Sequence, residues 1–69
     1  MNIVIHILCY DWVPIVSYIN SHLSTFENDV NHISDNEIVA TVHTVSDCMT
    51  VCMTENLYTG TTCTILSVE

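Results

Sequence analysis

The sequence predicts a small α+β domain of β-α-β-β-β order, with one amphipathic helix packed on a mainly antiparallel, four-stranded sheet. Three features predict this class: an apolar run rich in Ile and Val, a helical stripe of apolar residues after it, and three later segments rich in β-branched residues. The connections between those later segments are short enough for an antiparallel meander. At 69 residues, the chain is expected to form one domain, 1–69.

The first predicted strand covers residues 2–10, in the run MNIVIHILCY. Its apolar residues fall on both faces, which is typical of a strand buried on both sides. Asp11 then follows as the N-cap of a helix. Pro14 is tolerated in the first turn, because the amides there have no partners within the helix. The chain therefore passes from a strand directly into a helix.

The helix is predicted over residues 12–27. Apolar residues recur there at offsets of 0, 3, 4, 7, 11 and 14, which is one stripe of an amphipathic helix. We expect this stripe to pack on one face of the sheet. Its residues are Trp12, Ile15, Val16, Ile19, Leu23 and Phe26.

The remainder of the chain is predicted to be a loop and three strands. The polar, turn-rich segment 28–36 is expected to be an acidic loop, since it has few apolar residues to anchor it. β-Branched and alternating apolar residues indicate strands after residue 36. If the last two strands form a hairpin, Cys52 falls opposite Cys63, either as a strained disulfide or as two packed thiols, which we favour. The predicted strands are 37–45, 48–54 and 61–68.

The charge is unusual, because the chain has eight carboxylates and no lysine or arginine, for a formal net charge of −8. A surface of one sign attracts cationic partners and repels nucleic acid and anionic lipid. We therefore expect the basic surface of a larger protein as partner, and no direct binding to nucleic acid. If that surface normally holds phosphates, the protein would act as a nucleic-acid mimic, although its charge density is below the roughly one charge per 1.7 Å of duplex DNA.

These properties suggest a small acidic inhibitor or modulator that acts by stoichiometric protein–protein interaction. Such a protein would suit a virus- or phage-encoded gene, acting in the cytoplasm of the host. The first alternative for the acidic segment is a solvated loop that keeps the protein in solution. The second is a Ca²⁺-binding loop, but the segment does not contain the Asp-x-Asp-x-Asp-Gly pattern of such loops. The candidate partner-binding residues are Glu27, Asp29, Asp35 and Glu37, with Glu55 and Tyr58 as a second contact point.

A homodimer is also expected. One helix covers only one face of the predicted sheet, and an uncovered apolar face of more than a few hundred Å² usually marks an interface. A second copy would cover that face and enlarge the core. The alternatives are a different partner on the same surface, or a role as a structural subunit of a larger assembly. The candidate interface residues are Val4, Leu8, Val39 and Val45.

A further alternative is a membrane-associated protein with residues 3–19 in lipid. Asp11 and Pro14 interrupt that segment, a span normally needs about 20 apolar residues, and no basic region precedes it. Without a signal sequence, the four cysteines are expected to be reduced thiols. The sequence therefore favours a cytoplasmic location over a membrane.

No catalytic, cofactor or metal site is predicted. The chain has no Gly-x-Ser-x-Gly or Gly-rich phosphate loop, and without Lys or Arg an anionic substrate could be held only by backbone amides, histidine or a metal. Zinc sites usually use closely paired ligands. In a strand, Cys48 and Cys52 would lie about 13 Å apart at ~3.3 Å per residue. We therefore expect a binding protein that is not an enzyme.

Overall fold

The computed structural model describes residues 1–69 and confirms the α+β class. The sequence predicted one helix, but the structure has a second, followed by a single helical turn. A short 3₁₀ helix, Phe26–Asp29, leads into the second strand. The elements are β1 (Ile3–Leu8), α1 (Trp12–Asn20), β2 (Val30–Ser34), β3 (Glu37–Val42), α2 (Val45–Cys52), α3 (Thr54–Leu57) and β4 (Thr62–Val68).

The four strands form one antiparallel sheet in the order β2-β3-β1-β4. α1 connects β1 to β2, and β3 lies between those two strands. In the same way α2 and α3 connect β3 to β4, and β1 lies between them. This double split β-α-β arrangement is the ferredoxin-like topology. It leaves β2 and β4 as the two edges of the sheet.

The core lies between the helices and one face of the sheet, which we call the helix face. Alternate residues of β1 and β3 point toward it, as the side-chain period of two in a strand requires. α1 contributes the part of its apolar stripe that includes Ile15 and Ile19, and α2 contributes Cys48 and Val51. Fourteen buried apolar residues form this core, so its net stability is expected to be small. Its strand residues are Ile3, Ile5, Ile7, Ile38, Ala40 and Val42.

The prediction that one helix covers residues 12–27 is wrong in length. Asp11 is the N-cap as expected, accepting from the Val13 amide at 3.1 Å, but α1 ends at Asn20. The Ser21 hydroxyl and His22 Nδ1 both donate to the Tyr18 carbonyl, at 2.6 and 2.8 Å, and so satisfy the end of the helix. Leu23 and Phe26 still join the core after this turn. The apolar stripe therefore predicted the buried residues correctly.

The prediction of an acidic loop over 28–36 is wrong. Residues Val30–Ser34 form β2, which pairs with β3 in a register that sets Val30 opposite Ala40. Four of the five β2 residues are exposed, so a polar composition is compatible with this edge strand. Pairing with β3, which the local sequence does not show, determines the structure here.

The prediction of a strand over 48–54 is also wrong, and the strand predicted over 37–45 ends at Val42. Thr44 is the N-cap of α2, and its Oγ1 accepts from the Asp47 amide at 3.0 Å. A threonine followed three residues later by an acid is a helix-start pattern. Residues 48–54 therefore complete α2 and begin α3, whereas the strands predicted over 2–10 and 61–68 are confirmed as β1 and β4.

No helix is long and apolar enough to cross a membrane. The segment 3–19, whose alternative was a lipid-inserted stretch, forms β1 in the middle of the sheet and most of α1.

Candidate functional site

The main concave feature is an apolar groove between α2 and the β4 side of the sheet. Its volume is about 350 Å³, and all eight residues that line it are hydrophobic. α2 supplies one wall, and β4 with the start of the chain supplies the other. We call this feature the α2–β4 groove. Its outer residues are Met1, Val45, Met49, Ile65 and Val68.

The groove is open because α2 has two apolar stripes and buries only one. Cys48 and Val51 face the core, whereas Val45 and Met49, one turn apart, stay 58% and 65% exposed. Ile65 on β4 is 52% exposed. Exposed apolar surface concentrated in this way is typical of an interaction site. The groove was not predicted from sequence, because residues 48–54 were expected to be a strand.

The groove runs beside the free edge of β4. This strand pairs only with β1, and it contains no charged residue and no proline. Lysine or proline commonly protects such an edge from pairing with another chain. Here the protecting group is Glu55 in α3, whose carboxylate accepts the amide of Cys63. The remainder of the edge has no such side chain.

Cys48 and Cys52 line the groove, and Cys63 lies next to Cys52. Cys48 and Cys52 are one helical turn apart on α2, so the prediction that they are about 13 Å apart is wrong. Cys52 and Cys63 are neighbours as predicted, with Sγ atoms 3.6 Å apart, but as a helix over a strand rather than across a hairpin. All the cysteines are free thiols. No group of three or more His, Cys, Asp or Glu side chains is arranged to hold a metal ion.

Burial makes two of these thiols, Cys63 and Cys48, hard to ionise. It raises the pKa of Cys63 well above the ordinary value of 9.0, and the hydrogen bond with Cys52 raises it further. Burial also raises the pKa of Cys48. A thiol is a nucleophile only as thiolate, so these groups are poor nucleophiles at neutral pH. At neutral pH, the base of the groove is therefore an uncharged, apolar surface.

The carboxylates are divided between the two ends of the sheet. β2 separates Glu27 and Asp29 from Asp35 and Glu37, so the predicted 27–37 cluster is not one patch. Asp29 and Glu69 are at the same end, since His43 links Asp29 to Asn2, and the backbone of Asn2 pairs with that of Glu69. One end carries Glu27, Asp29, Asp47 and Glu69, and the other carries Asp11, Asp35, Glu37 and Glu55.

Two of the carboxylates contact histidines. Glu37 is 3.3 Å from His6 Nε2, and Asp29 is 3.1 Å from His43 Nε2. Both contacts are ion pairs only when the imidazole is protonated. The other predicted acids, Glu27 and Asp35, have no such partner, and both are exposed.

The remaining predicted residues lie in three places. Tyr58 is half-buried against the core, with its ring edge-on to Tyr18 at a centroid distance of 6.1 Å. Val4, Leu8 and Val39 share the face of the sheet opposite the helices, which we call the open face. Val45 instead lies on α2 beside the groove. The four candidate interface residues therefore do not form one surface.

Comparison with known protein families, with curated proteins and with solved structures finds no match. The function is therefore inferred from the groove, the strand edge and the carboxylates.

Proposed function

We propose that this protein acts by stoichiometric binding: it docks its acidic surface on a basic surface of a larger protein and so inhibits or modulates it. The observation that carries the proposal is the distribution of charge. Four carboxylates lie at each end of the sheet, in a chain with no lysine or arginine to neutralise them. A cationic partner supplies the missing charge.

The two acidic ends set the size of the surface that the partner must present. The strands between them are five to seven residues long, which separates the ends by roughly 20 Å at ~3.3 Å per residue. A basic surface of that width can contact both ends at once. Charges of this kind speed encounter and set orientation more than they add affinity.

The same arrangement argues against mimicry of duplex DNA. A duplex carries about one charge per 1.7 Å of axis in continuous rows, whereas here two groups of four carboxylates are separated by the length of the strands, which have no carboxylate between their ends. We therefore propose a protein partner without requiring that it normally binds nucleic acid. A compact inhibitor of this kind suits a viral or phage gene, with its target in the host cytoplasm.

Reversing one exposed acid at each end tests the proposal. Glu27→Lys with Asp35→Lys changes the net charge from −8 to −4, since each reversal adds two. Glu27→Gln with Asp35→Asn is the matched control, which removes the charges without reversing them. Both positions are exposed, so we expect the fold to persist.

Proteins captured from cell extract at about 0.15 M salt should present basic contact surfaces. We expect the reversed variant to associate most slowly, the neutral control to be intermediate, and the salt dependence to weaken in the same order. A captured partner with a neutral or acidic contact surface, and an affinity indifferent to salt, would contradict the proposal.

A further inference from the structure

We infer that the α2–β4 groove binds an extended apolar segment of the partner, which adds as a fifth strand to the β4 edge and carries Lys or Arg at both of its ends. The inference rests on the proposed function, because it names the segment through which the basic partner is held. The occupant is a strand of another protein and not a second copy of this chain.

The β4 edge has the features that strand addition requires. β4 spans seven residues and hydrogen-bonds only to β1, so backbone groups on its other side are free. Their alternation is interrupted once, at Leu66, which is an extra residue where the register with β1 shifts between Val4 and Ile5. Main-chain hydrogen bonds give such a complex its affinity, and pockets for alternate side chains give it selectivity. Here the α2–β4 groove is the pocket, because Met49 and Ile65 stand on its two sides next to the edge.

Glu55 sets one limit of the edge. Its carboxylate holds the Cys63 amide, so the free part of the strand runs from Thr64 to Val68. Five residues, one of them the bulged Leu66, span at most about 17 Å at ~3.3 Å per residue. That length suits a short extended segment, two or three of whose side chains would point into the groove.

The acidic residues at the two ends of the β4 edge indicate which charges the bound segment must carry. Glu55 lies at the start of β4 and Glu69 follows its end, while the groove between them has no polar lining residue. An apolar segment with a cation at each end matches this pattern. A segment with acidic ends would meet like charge at both.

The same charges exclude a second copy. Antiparallel pairing of two β4 edges would bring the Glu55 end of one chain toward the Glu69 end of the other, and parallel pairing would align each acid with its equivalent. Both arrangements juxtapose like charges, and neither chain has a lysine or arginine to offset them. The cations must come from a different protein.

A labelled peptide of about six alternating Val and Thr residues with two Lys at each end is the probe. Met49→Asp is the test variant and Val13→Asp is its matched control, since both replace exposed apolar residues on helices and add one negative charge. In fluorescence anisotropy we expect Met49→Asp to weaken binding about tenfold or more, as for loss of one anchoring side chain, and Val13→Asp to have no such effect. Electrostatics alone would predict tighter binding by Met49→Asp, because the added carboxylate attracts the Lys residues of the peptide. Weaker binding would therefore report the loss of the apolar contact.

Backbone methylation of the peptide tests the strand addition itself. Methyl groups on alternate amides along one edge of the peptide should abolish binding, whereas the same number along the other edge should leave it intact. A peptide with Glu in place of Lys should not bind. Amide shifts in NMR spectra should fall on β4 and α2.

The inference is overturned if the wild-type protein does not bind the basic peptide, or if it binds the acidic peptide equally well. It is also overturned if Met49→Asp and Val13→Asp have the same effect on binding, or if both methylated peptides bind. A wild-type dimer that Met49→Asp dissociates would also overturn it, by assigning the groove to a second copy. Suppose that wild type captures a basic protein from extract, that the Glu27→Lys, Asp35→Lys variant does not capture it, and that the Met49→Asp variant still does. The proposed function then stands and this inference fails.

Discussion

The Sγ atoms of Cys52 and Cys63 lie 3.6 Å apart, where α2 crosses β4. Their contact joins the two walls of the α2–β4 groove at its base. Burial keeps the Cys63 thiol protonated at neutral pH by raising its pKa. The packing at this point therefore depends on a Cys63 thiol that remains neutral.

Stability should consequently fall in alkaline solution. Burial raises the pKa of Cys9, Cys48 and Cys63 above the ordinary value of 9.0, so the folded protein holds these protons more tightly than the unfolded chain does. Well below pH 9 the thiols are protonated in both states, and their contribution is constant. Above it the unfolded chain ionises first, and the free energy of unfolding decreases as pH rises.

Urea denaturation at a series of pH values from 7 to about 11 measures this effect. The Cys63→Ala variant is the control, and its stability should decline less steeply above pH 9, because the thiol with the largest increase in pKa is gone. Equal slopes for the two proteins would contradict the assignment to Cys63.

The N-cap of α2 provides a second prediction. Thr44 Oγ1 accepts from the Asp47 amide at 3.0 Å, so Thr44→Ala leaves an amide of the first turn without its partner. We expect a loss of about 1 kcal/mol in the free energy of unfolding, whereas Thr44→Ser retains the acceptor and most of the stability. Denaturant titration measures both. Equal losses for Ala and Ser would show that the hydroxyl is not the important group.

Phe26 provides a third prediction. It is 1% exposed and is the largest of the fully buried side chains. Phe26→Ala should cost about 3–5 kcal/mol, which equals most of the roughly 3–5 kcal/mol that a core of this size supplies. We expect the variant to be largely unfolded at 25 °C by circular dichroism and Phe26→Leu to be folded. A well-folded Phe26→Ala protein would mean that the core is more stable than its size indicates.

Self-association through the open face remains a prediction. Val4, Leu8 and Val39 lie there together, and the only carboxylate within the four strands, Glu37, contacts His6 on the same face. Sedimentation equilibrium should detect a dimer, and Leu8→Asp should dissociate it, because a carboxylate cannot be buried cheaply in an apolar contact.

Val13→Asp, on the other side of the molecule, is the matched control and should leave that dimer intact. A wild-type protein that sediments as a monomer would remove the open face as an interface.

The sequence predicted the parts of the fold that local patterns determine. The apolar run became β1, the stripe from Trp12 to Phe26 marked buried or partly buried positions, and residues 62–68 formed β4. β-Branched composition indicates the two strands, and the recurrence of apolar residues every three or four positions indicates the helix, so each signal lies within its own segment.

Other elements depend on information outside their own segment. β2 is polar, and pairing with β3 makes it a strand. Residues 48–54 alternate like a strand but also place Cys48 and Cys52 four apart, so only the cap at Thr44 distinguishes the two structures. The α2–β4 groove depends on that helix, and so could not be predicted once the helix was missed. The acidic residues were identified, but β2 divides them between two ends.

Glu55 has a consequence for solution behaviour beyond recognition. An exposed, uncharged strand such as β4 is a template on which identical chains can stack into fibrils. Proteins protect such edges with lysine, proline or bulges, and this chain has no lysine but does have a bulge at Leu66. A single glutamate holding one main-chain amide provides the safeguard at the start of β4. Elsewhere along this edge, self-association is opposed mainly by the bulge and by repulsion between the carboxylates of two chains. That repulsion weakens when acid protonates the carboxylates or when salt screens them.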